Sequence, residues 1–159
     1  MAFQVATGWG PVADLADVTR LAGAAHHLAV FTVARPDGTV HASVVSAGVV
    51  ADPVDGSLGV AAVLNGGTRK LALLRRNPRA TLVFKVGGDW VAVSGPVRLV
   101  GPDDGAEFGL DVPATIRSVF AAAGGTHEDW AEFDRVMAAD RRCAAFVRAD
   151  TISSNAGRS

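Results

Sequence analysis

Apolar positions along the chain change their period several times, and each change marks an element. After Asp14, residues Leu15, Val18, Leu21 and Ala22 fall at the spacing of one helical face. Leu28 to Arg35 is then rich in Val, Phe and Thr, and Pro36-Asp37-Gly38-Thr39 is a strong turn signal before a second β-rich run, Thr39 to Val50. These two runs predict a hairpin. Asp52 to Gly56 marks another turn, and Ser57 to Leu64 predicts a third strand. Beyond Gly66-Gly67 the period is helical again, with Leu71 and Leu74 on one face and arginines on the other. Asn77-Pro78 ends that helix, because proline disfavours helical geometry in the residue before it. Arg79 to Val86 and Trp90 to Val100 read as two more strands around Gly87-Gly88-Asp89.

The segment 106–141 has a different texture. Ile116, Val119, Phe120 and Ala123 share a helical face after Pro113, and Gly124-Gly125 ends that helix. Thr126 with Asp129 resembles a capping box for a second helix, whose stripe is Trp130, Phe133 and Met137. Arg142 to Ile152 returns to strand composition, followed by a polar tail. The count is about six β-runs, a short helix between the third and fourth, and a helical hairpin before the last. Hairpin neighbours pair antiparallel, and so many strands in a short chain predict a barrel. The expected class is mainly β (α+β), one domain over 1–159 with a helical insertion at 106–141.

Composition narrows the setting. Apolar residues make up 49% of the 159, enough for a real core, and a net charge of −1 gives no overall pull towards nucleic acid or acidic membranes. The lone cysteine, Cys143, cannot form an internal disulfide. No lysine or arginine precedes Arg20, and glycine, proline and aspartate break the early apolar runs, which is unlike a signal peptide. The longest apolar stretch, Leu21 to Ala34, is too short and too interrupted for a membrane helix. A cytoplasmic protein is expected. Thirteen arginines against two lysines, Lys70 and Lys85, reflect the residue bias of a GC-rich bacterial genome. The charge is unevenly spread: residues 66–101 carry seven cations and one acid, whereas 102–150 carry ten acids and five arginines. A basic middle predicts an anion site there.

Gly66-Gly67-Thr68-Arg69-Lys70, leading into the short helix, is the best candidate for it. The start of a helix presents unpaired N–H groups and the positive end of the dipole. Thr68 adds a hydroxyl, Arg69 a planar fork and Lys70 a point charge, while the glycines permit close approach of backbone to ligand. A capped surface helix with solvated cations fits the same spacing. Elsewhere the residues favour structural roles. His26 and His27 stand at a helix–strand junction, His41 alternates with Ser43 on a strand, and His127 falls in the first turn of a helix. His127-Glu128 lacks the second histidine of a zinc protease, so no metal site is expected, and no serine has the glycine frame of a nucleophile elbow. Cys143, among Ala144, Ala145 and Phe146, reads as a buried, inert thiol.

The segment Thr68-Arg69-Lys70-Leu71-Ala72-Leu73-Leu74-Arg75-Arg76-Asn77-Pro78-Arg79 resembles the hallmark of the pyridoxamine-phosphate-oxidase-like superfamily of split β-barrels. Its pattern is Ser/Thr, any residue, Lys, then Asn-Leu, then Asn/Asp-Pro-Arg before a strand. Leu73 stands where that pattern has asparagine, Val40 where a proline is common, and the usual aromatic near Ser46 is missing. Gly124-Gly125-Thr126-His127-Glu128-Asp129-Trp130 and the ending Ser154-Asn155 are similar to a subgroup that uses the deazaflavin coenzyme F420.

The resemblance implies a homodimer with a phosphate-bearing coenzyme in each inter-subunit groove. Thr68 and Lys70 would bind the phosphate, supported by Arg69 and the Gly67 backbone. Ser43, Val44, Val45 and Ser46 would line the ring system, with Trp90 and Ala92 approaching from strand five, from the partner subunit in one arrangement. It further implies hydride transfer from reduced F420 to an unsaturated small molecule. FMN is the alternative coenzyme, and a non-catalytic carrier or sensor of F420 or haem is a reading from another class. The lack of an acid–base constellation agrees with chemistry carried by a coenzyme.

Overall fold

The computed structural model describes residues 13–155. Residues 1–12 of the stretch that is unlike a signal peptide, and residues 156–159 of the polar tail, lie outside that range. The elements run α1 (Leu15–Ala24), β1 (Leu28–Ala34), β2 (Val40–Ala51), β3 (Leu58–Leu64), α2 (Arg69–Arg76), β4 (Arg79–Val86), β5 (Asp89–Val100), α3 (Val112–Ala122), α4 (Trp130–Ala139), β6 (Cys143–Arg148) and β7 (Thr151–Ser154), with one 3-10 turn at Ala106–Phe108 before α3.

All strand pairs are antiparallel. The order β4-β1-β2-β3-β6-β5 closes on itself through β4–β5, which makes the six-stranded barrel, and β7 is an added strand on β5. The expected last strand is therefore two. Val97 pairs with Val147 but Ser94 with Thr151, so the chain gains one residue on β5 between β6 and β7. At that break the Ala149 N–H donates to the Leu58 carbonyl and the Asp150 N–H to the Arg148 carbonyl. Composition alone shows one stretch of strand-like residues there; only the pairing with β5 reveals the insertion.

Inside the ring sit Phe31, Val33, Val60, Leu64, Leu82, Phe84, Val91, Val93 and Ile152. Phe31 and Phe84 are fully buried, and truncating such a ring to alanine costs about 3–5 kcal/mol. Helix α1 leads into β1 at one end, held by a reciprocal capping box between Asp14 and Asp17, and adds Val18, Leu21 and Ala22 to the core. Helix α2 bridges the end of β3 and the start of β4 at the opposite end, adding Leu71, Leu73 and Leu74. Leu73 is thus a core residue, which explains an apolar side chain at that point.

A second core lies outside the barrel wall, where Ile116 and Val119 of α3 and Phe133 of α4 cover Ala61, Ala144 and Phe146. Strands β3 and β6 are therefore buried on both faces, and their unbroken apolar runs follow from that. Helix α3 approaches closely because Gly48 has no side chain: a Cβ there would sit 1.9 Å from the Ala122 carbonyl oxygen. Arg117 ties α3 to α4 through Asp134 and lies over the Trp130 ring at 5.4 Å. The cap of α4 differs from the expectation: Asp129 alone accepts from the Glu132 N–H, and Thr126 lies upstream of the helix. His127 likewise precedes the helix, where its Nδ1 accepts from the Asp129 N–H. The capping carboxylate has to stand directly before the first turn, and Thr126 is three residues too early.

Candidate functional site

Helix α2 starts beside β2, and this is where the candidate residues meet. No side chain caps the helix: the Thr68 hydroxyl donates instead to the Asn65 carbonyl at 2.9 Å, and the Asn65 side chain accepts from the Gly67 N–H at 3.1 Å. These two bonds fold the 65–68 turn and leave the positive end of the helix without a side-chain acceptor. Lys70 reaches across to β2, its Nζ donating to Ser43 Oγ at 2.9 Å. Ser43 is neutral and no carboxylate pairs with Lys70 among the described residues. Partial burial therefore holds the ammonium below the ordinary lysine value of 10.5.

A cavity of about 440 Å³ opens here, lined by Val44, Val45 and Ser46 of β2, Asn65, Thr68 and Lys70 around the start of α2, and Phe120, Met137 and Arg142 from the helical insertion and its exit. Its size is within the usual range for small-molecule sites. Lys70 and Arg142 line it and, among the described residues, no acid does. A second cleft of about 460 Å³, on Arg75, Arg98 and Arg148, contrasts with it. There Asp52, Asp55, Asp104 and Glu107 stand among the arginines, with Arg75 held bidentate by Asp104 at 2.8 and 2.9 Å and Arg98 by Asp52 at 2.7 Å. In the first cavity, by contrast, Lys70 has no acidic partner among the described residues, and Arg142 has only one Asp140 oxygen, at 3.2 and 3.4 Å.

The anticipated residues divide into three groups. Thr68, Lys70, Val44, Val45 and Ser46 line the cavity, and Ser43 joins through Lys70. Arg69 and Gly67 are exposed next to it and do not line it. Trp90 and Ala92 are on β5, away from the cavity lining of this chain. Gly66 has a different role from ligand approach. Its N–H donates to the Asp140 carbonyl at 3.1 Å, and a Cβ there would lie 2.5 Å from the Arg141 carbonyl oxygen, so the space is filled by the chain itself. Gly67 has only the Asn65 side chain within 4 Å of such a Cβ and remains open.

Asn65, Phe120, Met137 and Arg142 were not anticipated. Phe120 and Met137 read as core stripe, and Arg142 as one more cation in an acidic stretch; nothing local separates them from that. His26 and His27 both adopt positive φ at the end of α1; His26 is exposed, and the His27 Nδ1–H donates to the Ala47 carbonyl at 3.1 Å. His41 and Ser43 are both half-buried on β2, and His41 Nδ1 has no partner among the described residues. Cys143 is buried, and burial first, with Asp104 adding to it, pushes its thiol up to about 12. No cluster of metal-ligating side chains occurs among the described residues. Nor is any described helix long and apolar enough to cross a membrane.

The sequence model described as pyridoxamine 5'-phosphate oxidase matches residues 18–141. The chain belongs to this family. Solved structures agree with the oxidase-family fold at low identity. A conserved hypothetical protein of Mycobacterium tuberculosis superposes with a TM-score of 0.64 at 16% identity, covering 97% of this chain and 87% of that one. A pyridoxamine 5'-phosphate oxidase-related, FMN binding protein of Nostoc punctiforme gives 0.58 at 8%, over 87% of this chain and 81% of that one. The haem storage protein of Vibrio cholerae gives 0.54 at 9%, over 86% and 91%. Such identities speak for a shared barrel only. No curated protein matches the sequence.

Proposed function

We propose that this chain is a homodimeric oxidoreductase of the pyridoxamine 5'-phosphate oxidase family that binds a phosphate-bearing flavin-type coenzyme, with F420 the leading candidate. The observation that carries the reading is the cavity lined by Lys70 and Arg142 without an acid, one of whose cations is half-buried beside an uncapped helix start. A phosphate there gains a charge-assisted hydrogen bond from Lys70 and stabilises the charge that burial disfavours. Arg69, at the mouth, adds long-range attraction, and the open Gly67 backbone leaves room for close approach. Val44, Val45 and Ser46 offer the ring system a flat edge of β2.

Bound in its reduced form, such a coenzyme supplies a hydride for an electron-poor double bond. The protein's part is position, charge and exclusion of water, with the proton coming from solvent or a nearby hydroxyl. F420 is preferred on the similarity of the 124–130 segment and the Ser154-Asn155 ending. In the structure Asn155 accepts from the Trp90 N–H and donates to the Gly88 carbonyl, fixing the start of β5. FMN is the second reading, favoured by the FMN-binding neighbour from Nostoc punctiforme.

The dimer rests on an exposed apolar row. Val44 pairs with Val30, Val30 with Val83 and Val83 with Ala92, so four neighbouring strands present one side of the sheet. Leu28, Val30, Val40, Val44 and Trp90 are all exposed, Val44 by 65%. A two-fold axis between β1 and β4 would exchange the ends of this row and set Val44 against the partner subunit's Ala92, with the partner subunit's Trp90 beside it. That arrangement gives Trp90 and Ala92 a place at the coenzyme groove.

The test is a side-by-side fluorescence and absorbance titration of the purified protein with F420, FMN and haem. We expect one of the two flavin-type coenzymes to bind, and Lys70→Ala to weaken it by about 10- to 100-fold, the worth of a charged hydrogen bond. Unchanged affinity in that variant removes the site.

A further inference from the structure

Arg142 is the second cation of the cavity, and the reading above gives it no contact with the coenzyme. It follows α4 directly, where the chain turns through a Schellman cap: the Arg142 N–H donates to the Met137 carbonyl at 2.9 Å and the Arg141 N–H to the Ala138 carbonyl at 3.1 Å, with Arg141 at φ 50°. The corner is pinned to the 65–68 turn by the bond from the Gly66 N–H to the Asp140 carbonyl. Backbone geometry thus holds Arg142 and the Lys70 turn together on one cavity.

The guanidinium is poorly satisfied. Nε and Nη2 both go to a single oxygen of Asp140, at 3.4 and 3.2 Å, and no other bond to it occurs among the described residues. A guanidinium carries five donors in a planar fork that suits two carboxylate oxygens at once. Its side chain is 30% exposed and lines the cavity, so a ligand acid can reach it. Between Arg142 and the barrel wall the lining is apolar: Val63 and Leu64 from β3, Phe120 and Ala123 at the end of α3, Met137 from α4. A phenylalanine ring and a flexible thioether accommodate a flat unsaturated body.

We propose that Arg142 recognises the acceptor substrate, which carries a carboxylate on a flat, unsaturated, apolar body lying against Phe120 and Met137. This rests on the reading that the Lys70 end takes the coenzyme phosphate. It assigns the helical insertion and its exit to substrate choice, and the barrel with α2 to the coenzyme. Asp140 is the internal competitor, holding the guanidinium in place until a better-aligned carboxylate displaces it.

The experiment is calorimetric titration of the full-length protein with trans-cinnamate and with neutral cinnamamide, which share shape and differ in charge. We expect cinnamate to bind the wild type at least about tenfold more tightly than the amide. Arg142→Gln abolishes that preference while leaving the affinity for the coenzyme found above within about twofold. Asp140→Asn, which removes the competitor and keeps the guanidinium, binds cinnamate more tightly than the wild type. Lys70→Ala shows the reverse pattern to Arg142→Gln: coenzyme affinity falls and the acid preference stays. Equal binding of acid and amide, no saturable binding of cinnamate, a preference that survives Arg142→Gln, or no tightening in Asp140→Asn overturns the proposal. So does equal loss of coenzyme and acid in Arg142→Gln, which would make Arg142 part of the coenzyme site. If neither F420 nor FMN binds but the acid preference tracks Arg142, the coenzyme reading fails and the acid subsite stands.

Discussion

At the scale of single residues, the proposed coenzyme site turns on the state of Lys70. Its ammonium is disfavoured by burial, so in the free protein it loses its proton at a lower pH than an ordinary lysine. Because the folded value is depressed, this burial costs stability while the group is charged, and the cost fades as pH rises through the lowered value. A bound phosphate reverses the shift by favouring the charged form. Affinity is therefore greatest at neutral pH and falls as pH rises, beginning below 10.5. Titrations across the alkaline range check the sign, and Lys70→Arg keeps its affinity to higher pH because a guanidinium does not deprotonate there. The sequence marks Lys70 through its local setting: a glycine turn, a hydroxyl residue and a helix start within five positions. Arg142 has no such local signal. What sets it apart is its place on a cavity with a single, poorly aligned acidic partner, and that cavity depends on side chains from β2, α2, α3 and α4 at once. Gly66 shows the same limit, since only the folded chain reveals that Arg141 occupies the space beside it.

At the scale of elements, the helical insertion is a wall of the site as well as a cover for the barrel. Gly48 sets how closely α3 lies on β2, so Gly48→Ala has to push the Ala122 carbonyl away from a contact of 1.9 Å. Overpacking of this kind costs about 1–3 kcal/mol. Urea denaturation should show a lowered midpoint with an unchanged slope, and the same variant should weaken cinnamate more than coenzyme, because Phe120 and Ala123 move with the end of α3. The periodicity made α1, α2, α3 and the hairpins legible, since amphipathic spacing and Asp-Gly turns act within a few residues. It was less informative about β6 and β7, where one strand-like stretch hides a one-residue insertion visible only against β5. The start of α4 was misread for a related reason: Thr126 and Asp129 both suit a cap, and the chain path from Gly125 decides between them.

At the scale of the whole molecule, two outcomes are expected. Residues 13–155 share one closed ring and a core to which both end helices contribute, so thermal unfolding should show one transition, with coincident curves from fluorescence and circular dichroism. The apolar row through exposed Val44 and Val30 and half-buried Val83 and Ala92 should make the protein a dimer in sedimentation equilibrium. Val30→Glu with Val44→Glu should yield a folded monomer whose coenzyme affinity is at least about tenfold lower, because half the groove is gone. A folded dimer in that variant would remove this face as the interface. By itself, the order of apolar and polar positions determined the strands, most of the helices and the barrel class, because each of these is written in short-range periodicity, and the glycine and cation run at 66–70 marked the candidate anion site. The tertiary structure alone decided which cations share a cavity, which glycines are filled by the chain and which sheet face stays bare. Those properties arise when ring closure and helix docking bring distant segments together, and no local pattern encodes which distant side chain will stand opposite.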